Sequence, residues 1–214
     1  MRRFDDKAHE YILQHTSPED EVLQKLFRET SVKILKADML SGHLQGKTLE
    51  MISRMIKPSK ILEIGTYTGY SAICLSKGLT SDGVLHTIES NDELHQMARE
   101  YFVMAGLNEK IIQYTGDALQ IVPGLEPGYD LIFIDGDKRE YPAYLKLTLP
   151  KLKPGGFLLA DDVLWWGKAT TEANPKDKFT QGIREFNELV KSMPELEKVM
   201  LPIRDGLFVI QKII

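Results

Sequence analysis

Cysteine is almost absent from this chain: Cys74 stands alone among 214 residues, so no disulfide can close within it and no cysteine-built zinc site exists. Its place on the apolar side of the segment around it points to packing rather than chemistry. The five histidines (His9, His15, His43, His86 and His95) share no spacing, and none is a candidate catalyst. Also missing is any 18-residue apolar run, which excludes a spanning helix of the usual kind. The first residues carry Arg2, Arg3, Asp5, Asp6 and Lys7 in place of the apolar core of a signal peptide, so a cytoplasmic protein is expected. Positive charge is in deficit, with a net charge of -4, and this removes any general attraction to nucleic acid or anionic membrane. Repeats and low-complexity tracts are absent too. Length and a 43% hydrophobic composition predict one α/β domain spanning 1–214.

What is present is a change of pattern near residue 57. Before it, residues 5 to 56 read as helices in several pieces, with Ser17 as a cap and Val22, Leu23, Leu26 and Phe27 at helical spacing. After it, short apolar runs alternate with amphipathic segments. The runs are Ile61 to Ile64, Val84 to Ile88, Ile111 to Tyr114, Leu131 to Ile134 and Phe157 to Ala160, followed by Glu197 to Pro202 and Phe208 to Gln211. Such alternation predicts a wound, mostly parallel sheet with helices on both faces. Pro154-Gly155-Gly156 predicts a turn before the fifth run, and Arg204-Asp205-Gly206 a closing antiparallel hairpin.

The first run continues as Ile61-Leu-Glu-Ile-Gly-Thr-Tyr-Thr-Gly-Tyr-Ser71, a strand entering a loop with Gly65 and Gly69. Glycines there let the main chain approach a ligand. The spacing is not Gly-x-Gly-x-x-Gly, and no Gly-Lys-Ser/Thr follows, so two familiar phosphate loops are excluded. Glu63 places a carboxylate where a phosphate would be repelled. A cationic or hydroxyl-bearing ligand fits better, and the remaining loop of this type is that of S-adenosylmethionine enzymes.

Ligands of an open parallel sheet lie at the carboxyl ends of its strands, and those ends are acidic here: Glu63, Glu89, Asp117, Asp135 with Asp137, and Asp161 with Asp162. Glu89, 26 residues after Glu63 at the end of the second run, suits the two hydroxyls of an adenosine ribose. Asp117-Ala118 can flank the adenine or cap a helix, and the two roles are compatible. Asp135, Asp161 and Asp162 on neighbouring strand ends form an oxygen-only set suited to Mg²⁺, Mn²⁺ or Ca²⁺. Carboxylates this close repel unless a cation intervenes.

Together these segments resemble the cation-dependent class I O-methyltransferases, the group of caffeoyl-CoA and catechol O-methyltransferases and their bacterial relatives. The likeness runs from Asp38 onward. It rests on Leu62 to Ser71, on Ile134-Asp135-Gly136-Asp137-Lys138, and on Ala160-Asp161-Asp162-Val163-Leu164-Trp165. Two departures stand out: Asp162 replaces the usual asparagine, and Ser41 to Lys47 replaces a more acidic stretch. The resemblance implies a Rossmann-like fold with a seven-stranded sheet and a C-terminal antiparallel strand, and a homodimer contacted through the N-terminal helices (1–56) over a core at 57–214. It implies S-adenosylmethionine held by Ser41, Glu63, Gly65, Thr66, Ser71, Glu89, Ala118 and Asp135. It implies a cation held by Asp135, Asp161 and Asp162, and a catalytic Lys138 acting as base or as oxyanion stabiliser. Trp165 or Trp166 would line an aromatic pocket, with the segment from Lys168 to Lys178 as a loop above it. The implied acceptor is a small vicinal dihydroxy aromatic. Bacterial relatives also imply a hydroxylated uridine in transfer RNA, which a basic patch from Arg2, Arg3, Lys7 and Lys168 would favour. The remaining alternative is a non-catalytic S-adenosylmethionine-binding module, against which the intact carboxylates and Lys138 argue.

Overall fold

A computed structural model describes residues 6–171 and 174–214. Three N-terminal helices, α1 (Asp6–Gln14), α2 (Glu21–Lys33) and α3 (Gly42–Ile56), precede the sheet. Asp20, not Ser17, caps α2, its carboxylate accepting from the Leu23 amide at 2.9 Å. Ser17 instead offers its carbonyl to the His43 ring. The chain then alternates strand and helix until the last two strands: β1 (Lys60–Ile64), α4 (Tyr70–Ser76), β2 (Val84–Glu89), α5 (His95–Met104), β3 (Ile111–Thr115), α6 (Ala118–Ile121), β4 (Tyr129–Ile134), α7 (Tyr141–Thr148), β5 (Leu152–Ala160), α8 (Lys178–Ser192), β6 (Leu196–Leu201) and β7 (Leu207–Lys212).

The strands form one sheet in the order β3-β2-β1-β4-β5-β7-β6. The first five are parallel, and β7 runs antiparallel to both β5 and β6. Both faces are covered, which explains the nearly continuous apolar strands. One face of β1, β4 and β5 packs Leu62, Ile132 and Leu158 against Tyr141 and Leu145 of α7 and Ile183 and Phe186 of α8. The opposite face packs Ile61, Phe133 and Leu159 among Leu26, Leu49, Ile73 and Phe102 from α2 to α5. Cys74 belongs to this second layer and is buried.

The predicted turn at Pro154-Gly155-Gly156 is a correction. It lies inside β5, which begins at Leu152; β4 advances from Tyr129 to Leu131 while β5 advances from Leu152 to Phe157. The extra residues bulge out of the ladder, where a proline lacking its N–H is tolerated. The antiparallel pairing of β6 with β7 agrees with expectation. Among the described residues, no helix is long and apolar enough to cross a membrane.

Candidate active site

Just beyond β1, β3, β4 and β5 the ladder continues for one more hydrogen bond. Gly65 N–H donates to the Ile88 carbonyl (2.9 Å), Asp135 N–H to Ile64 (2.8 Å), Asp161 N–H to Ile134 (3.0 Å) and Gly116 N–H to Glu89 (2.8 Å). These bonds carry the register of the strands into the loops. The residues that follow are therefore held on one rim rather than dispersed.

Gly65 has φ +102°, and a Cβ there would lie 2.3 Å from the Asp135 carbonyl oxygen. The loop after β1 can pass β4 this closely only with glycine. Next to it Thr66 and Ser71 are buried, and the Thr66 and Thr87 hydroxyls meet. Glu63 is fully enclosed. The Thr87 hydroxyl donates to its Oε2, whereas Oε1 has no well-formed donor among the described residues. Burial, reinforced by Asp135 and Glu89 against the opposing Thr87 and Ser71 hydroxyls, pushes the Glu63 carboxyl up to about 8. Glu89 accepts the Tyr67 amide (2.7 Å) and the Asn91 amide (2.9 Å), which orient its carboxylate at the end of β2. Asp117 caps α6 through the Leu119 amide at 2.8 Å, and Ala118 behind it is buried. Ser41 is also buried, its carbonyl accepting from Arg204 at 2.7 Å.

On the other side of the rim, each of Asp135, Asp161 and Asp162 brings one oxygen within 4.8 Å of the others. Asp162 adopts φ +57°, a left-handed conformation that Asp and Asn tolerate better than other residues with side chains. Lys138 lies among them, 2.6 Å from Asp135, 3.0 Å from Asp162 and 2.8 Å from the Tyr141 hydroxyl. Burial works against its charge, but Asp135, Tyr141 and Asp162 together hold its pKa well above the usual lysine value. Lys138 is thus an ammonium in this arrangement. The Asp161 carboxyl, buried first and then repelled by Asp135 and Asp162, is pushed up to about 7. Its Oδ2 accepts from the Gln45 amide, and no donor among the described residues reaches Oδ1.

Trp165 stacks on Phe179 with ring centroids 5.9 Å apart, while Trp166 is 75% exposed. The Arg139 guanidinium also lies over the Phe179 ring, 5.0 Å from its centroid. A cavity of about 420 Å³ opens beside Phe179, lined also by Arg139, Lys176 and Lys178. The predicted loop from Lys168 to Lys178 includes residues 172 and 173, and the basic patch includes Arg2 and Arg3; those four lie outside the described residues. Sequence reasoning missed Gln45, Arg204 and Asp205. All three act across long separations, and no local motif marks them.

A sheet of this order, with a glycine loop after β1 and an acid ending β2, is the architecture of the class I S-adenosylmethionine-dependent methyltransferases. The O-methyltransferase family model matches residues 13–213, and the chain belongs to that family. It is 30% identical to caffeoyl-CoA O-methyltransferase 2 of Populus trichocarpa over 97% of this chain and 89% of that one. Catechol O-methyltransferase of Niastella koreensis is 34% identical over 73% and 72% of the two chains. The S-adenosylmethionine complex of the O-methyltransferase TomG from Streptomyces achromogenes superposes with a TM-score of 0.86, at 30% identity over 96% of each chain. The protein is an S-adenosylmethionine-dependent O-methyltransferase of the caffeoyl-CoA and catechol type.

Proposed function

We propose that the enzyme is cation-dependent and methylates one hydroxyl of a small vicinal dihydroxy aromatic. The observation that carries this reading is the carboxylate set Asp135, Asp161 and Asp162 beside the glycine loop. Its chemistry fits a hard divalent ion: all donors are oxygens, and Asp161 Oδ1 is buried without a partner among the described residues. These three residues would hold Mg²⁺, Mn²⁺ or Ca²⁺. Bound there, such an ion supplies the charge that brings a phenol, near pH 10 when free, toward ionisation at neutral pH.

The chain's own residues do the rest. Glu89 offers its carboxylate to the ribose hydroxyls, its two backbone donors fixing the direction in which it accepts. Gly65 and Thr66 bring main chain to the cofactor, Ala118 flanks the adenine, and Ser41, Glu63, Ser71 and Asp135 surround the methionine portion. A methyl group on a sulfonium is already activated, so the protein's task is to align an oxygen behind it. Lys138 stands at the carboxylates as an ammonium and steadies the developing phenolate. It becomes a base only when added positive charge lowers its pKa. Exposed Trp166 offers an aromatic wall to the acceptor. We further place the enzyme in the cytoplasm as a homodimer contacted through the N-terminal helices.

The test is release of S-adenosylhomocysteine from the purified protein with a panel of catechols, in matched samples containing Mg²⁺ or EDTA. Turnover only with Mg²⁺ is the expected result; turnover indifferent to EDTA overturns the cation reading. Silence with every catechol moves the acceptor to a phosphate-bearing one. Around the cavity beside Phe179, Lys176 and Lys178 join Arg139, which is paired with Asp137, and outnumber Asp177; transfer RNA carrying a hydroxylated uridine is then the next substrate.

A further inference from the structure

The turn between β6 and β7 touches the site from two sides. On one side it holds the loop after β5: the Val163 amide donates to the Gly206 carbonyl (3.1 Å), the Leu164 amide to the Asp205 carbonyl (2.8 Å), and the Trp166 amide to the Asp205 carboxylate. On the other side Arg204 reaches the entry to α3. Its Nη1 donates to the carbonyls of Leu40 (2.8 Å) and Ser41 (2.7 Å) and to Gln45 Oε1 (2.9 Å), and its Nη2 to the Asp38 carbonyl (3.2 Å). Arg204 does this from φ +46°, a conformation that residues with side chains rarely adopt. The turn accepts that conformation while the guanidinium satisfies four oxygens.

One of those four contacts reaches the carboxylates. A guanidinium has donors and no acceptor, so the end of the Gln45 amide that meets Arg204 must be its oxygen. The other end, Nε2, is thereby turned to Asp161 Oδ2. Gln45 is 1% exposed and Asp161 3%, so water does not compete for either. The result is a chain of three side chains, Arg204 to Gln45 to Asp161, in which one carboxylate oxygen is occupied and Oδ1 is left without a donor.

We propose that Arg204 and Gln45 are positioning residues for the cation site. Arg204 sets the orientation of the Gln45 amide, and Gln45 holds the Asp161 carboxylate so that Oδ1 is presented to the ion. The inference rests on the cation reading given above. Partners of this kind orient a ligand before the ion arrives, and losing one typically weakens binding by about 10- to 100-fold.

The test is a Mn²⁺ titration of the full chain, followed by the paramagnetic resonance of the free ion, with calorimetric S-adenosylhomocysteine binding and a melting curve on every sample. Gln45→Met keeps an unbranched side chain of similar length without the amide. Arg204→Gly removes the guanidinium and relieves the positive φ, so this variant keeps the turn. Each is expected to weaken Mn²⁺ by about 10- to 100-fold. The double variant is expected to be no weaker than the worse single one, because both break the same chain. Arg204→Lys, with fewer donors in no fixed fork, is expected to fall between wild type and Arg204→Gly. Unchanged Mn²⁺ affinity in a folded Gln45→Met protein overturns the proposal, as do losses that simply multiply in the double variant. If Gln45→Met does not fold, full wild-type Mn²⁺ affinity in Arg204→Gly overturns it equally. Wild-type protein that binds S-adenosylhomocysteine but no Mn²⁺ overturns the cation reading itself, a separate outcome.

Discussion

Lys138 and Glu63 show how their neighbours decide opposite states for two buried ionisable residues: burial opposes the charge of both, and only Lys138 has partners that outweigh it. Lys138 is kept charged by two carboxylates and a hydroxyl, so its removal strips Asp135 and Asp162 of their cation. Lys138→Met is expected to lower the melting temperature of the cation-free protein, with Mg²⁺ restoring most of it, and to lower kcat by about 10²- to 10⁴-fold. Thermal shift with and without Mg²⁺, alongside steady-state kinetics, checks both. Glu63 is the reverse case, a carboxyl held protonated. Its folded pKa lies near 8, above the ordinary 4.5, so the stability it contributes is complete below about pH 4.5 and is lost as pH rises through 8. A Glu63→Gln protein cannot ionise there, and its urea midpoint is expected to depend less on pH across that window than the wild-type midpoint. An equal pH dependence in the two proteins would rule out a raised Glu63.

At the scale of elements, the loops after the strands carry the function, and the glycine loop does so with the least freedom. Gly65→Ala forces a methyl group into the Asp135 carbonyl at a backbone angle alanine avoids, so a loss of at least about 1–3 kcal/mol is expected. Cofactor binding should fall with it, because the same carbonyl belongs to the loop bearing Asp135. Denaturant unfolding and S-adenosylhomocysteine calorimetry measure the two effects. These loops are also where the sequence is most legible. Acids at the ends of apolar runs can be read directly, since a strand end in a parallel sheet has one place to go. Pro154-Gly155-Gly156 misleads because its residues favour turns everywhere; only pairing with β4 on either side of them shows that they bulge from a continuing strand. Ser17 misleads in the same way, being one of several polar residues before α2, of which Asp20 has the reach. Gln45 and Arg204 are invisible for a different reason. Gln45 meets Asp161 across 116 positions and Arg204 meets Gln45 across 159, so no window of sequence contains either contact.

For the whole molecule, the sheet order brings the two proposed sites to one rim. β1 lies at the centre of the five parallel strands, with β2 and β3 on one side bearing the residues proposed for an adenosine and β4 and β5 on the other bearing the carboxylates. In the proposed function the methyl donor and its acceptor meet where β1 adjoins β4. β7, the last strand in chain order, occupies an inner place between β5 and β6. During synthesis β6 therefore has no neighbour to pair with until β7 has emerged. The loop after β5 likewise waits for Asp205 and Gly206 before its amides find their acceptors. Glu89, on the proposed adenosine side, instead finds its donors at the Tyr67 and Asn91 amides, in the first half of the chain. The carboxylate side of the rim is thus closed by residues that follow it in the chain by a whole helix and a strand.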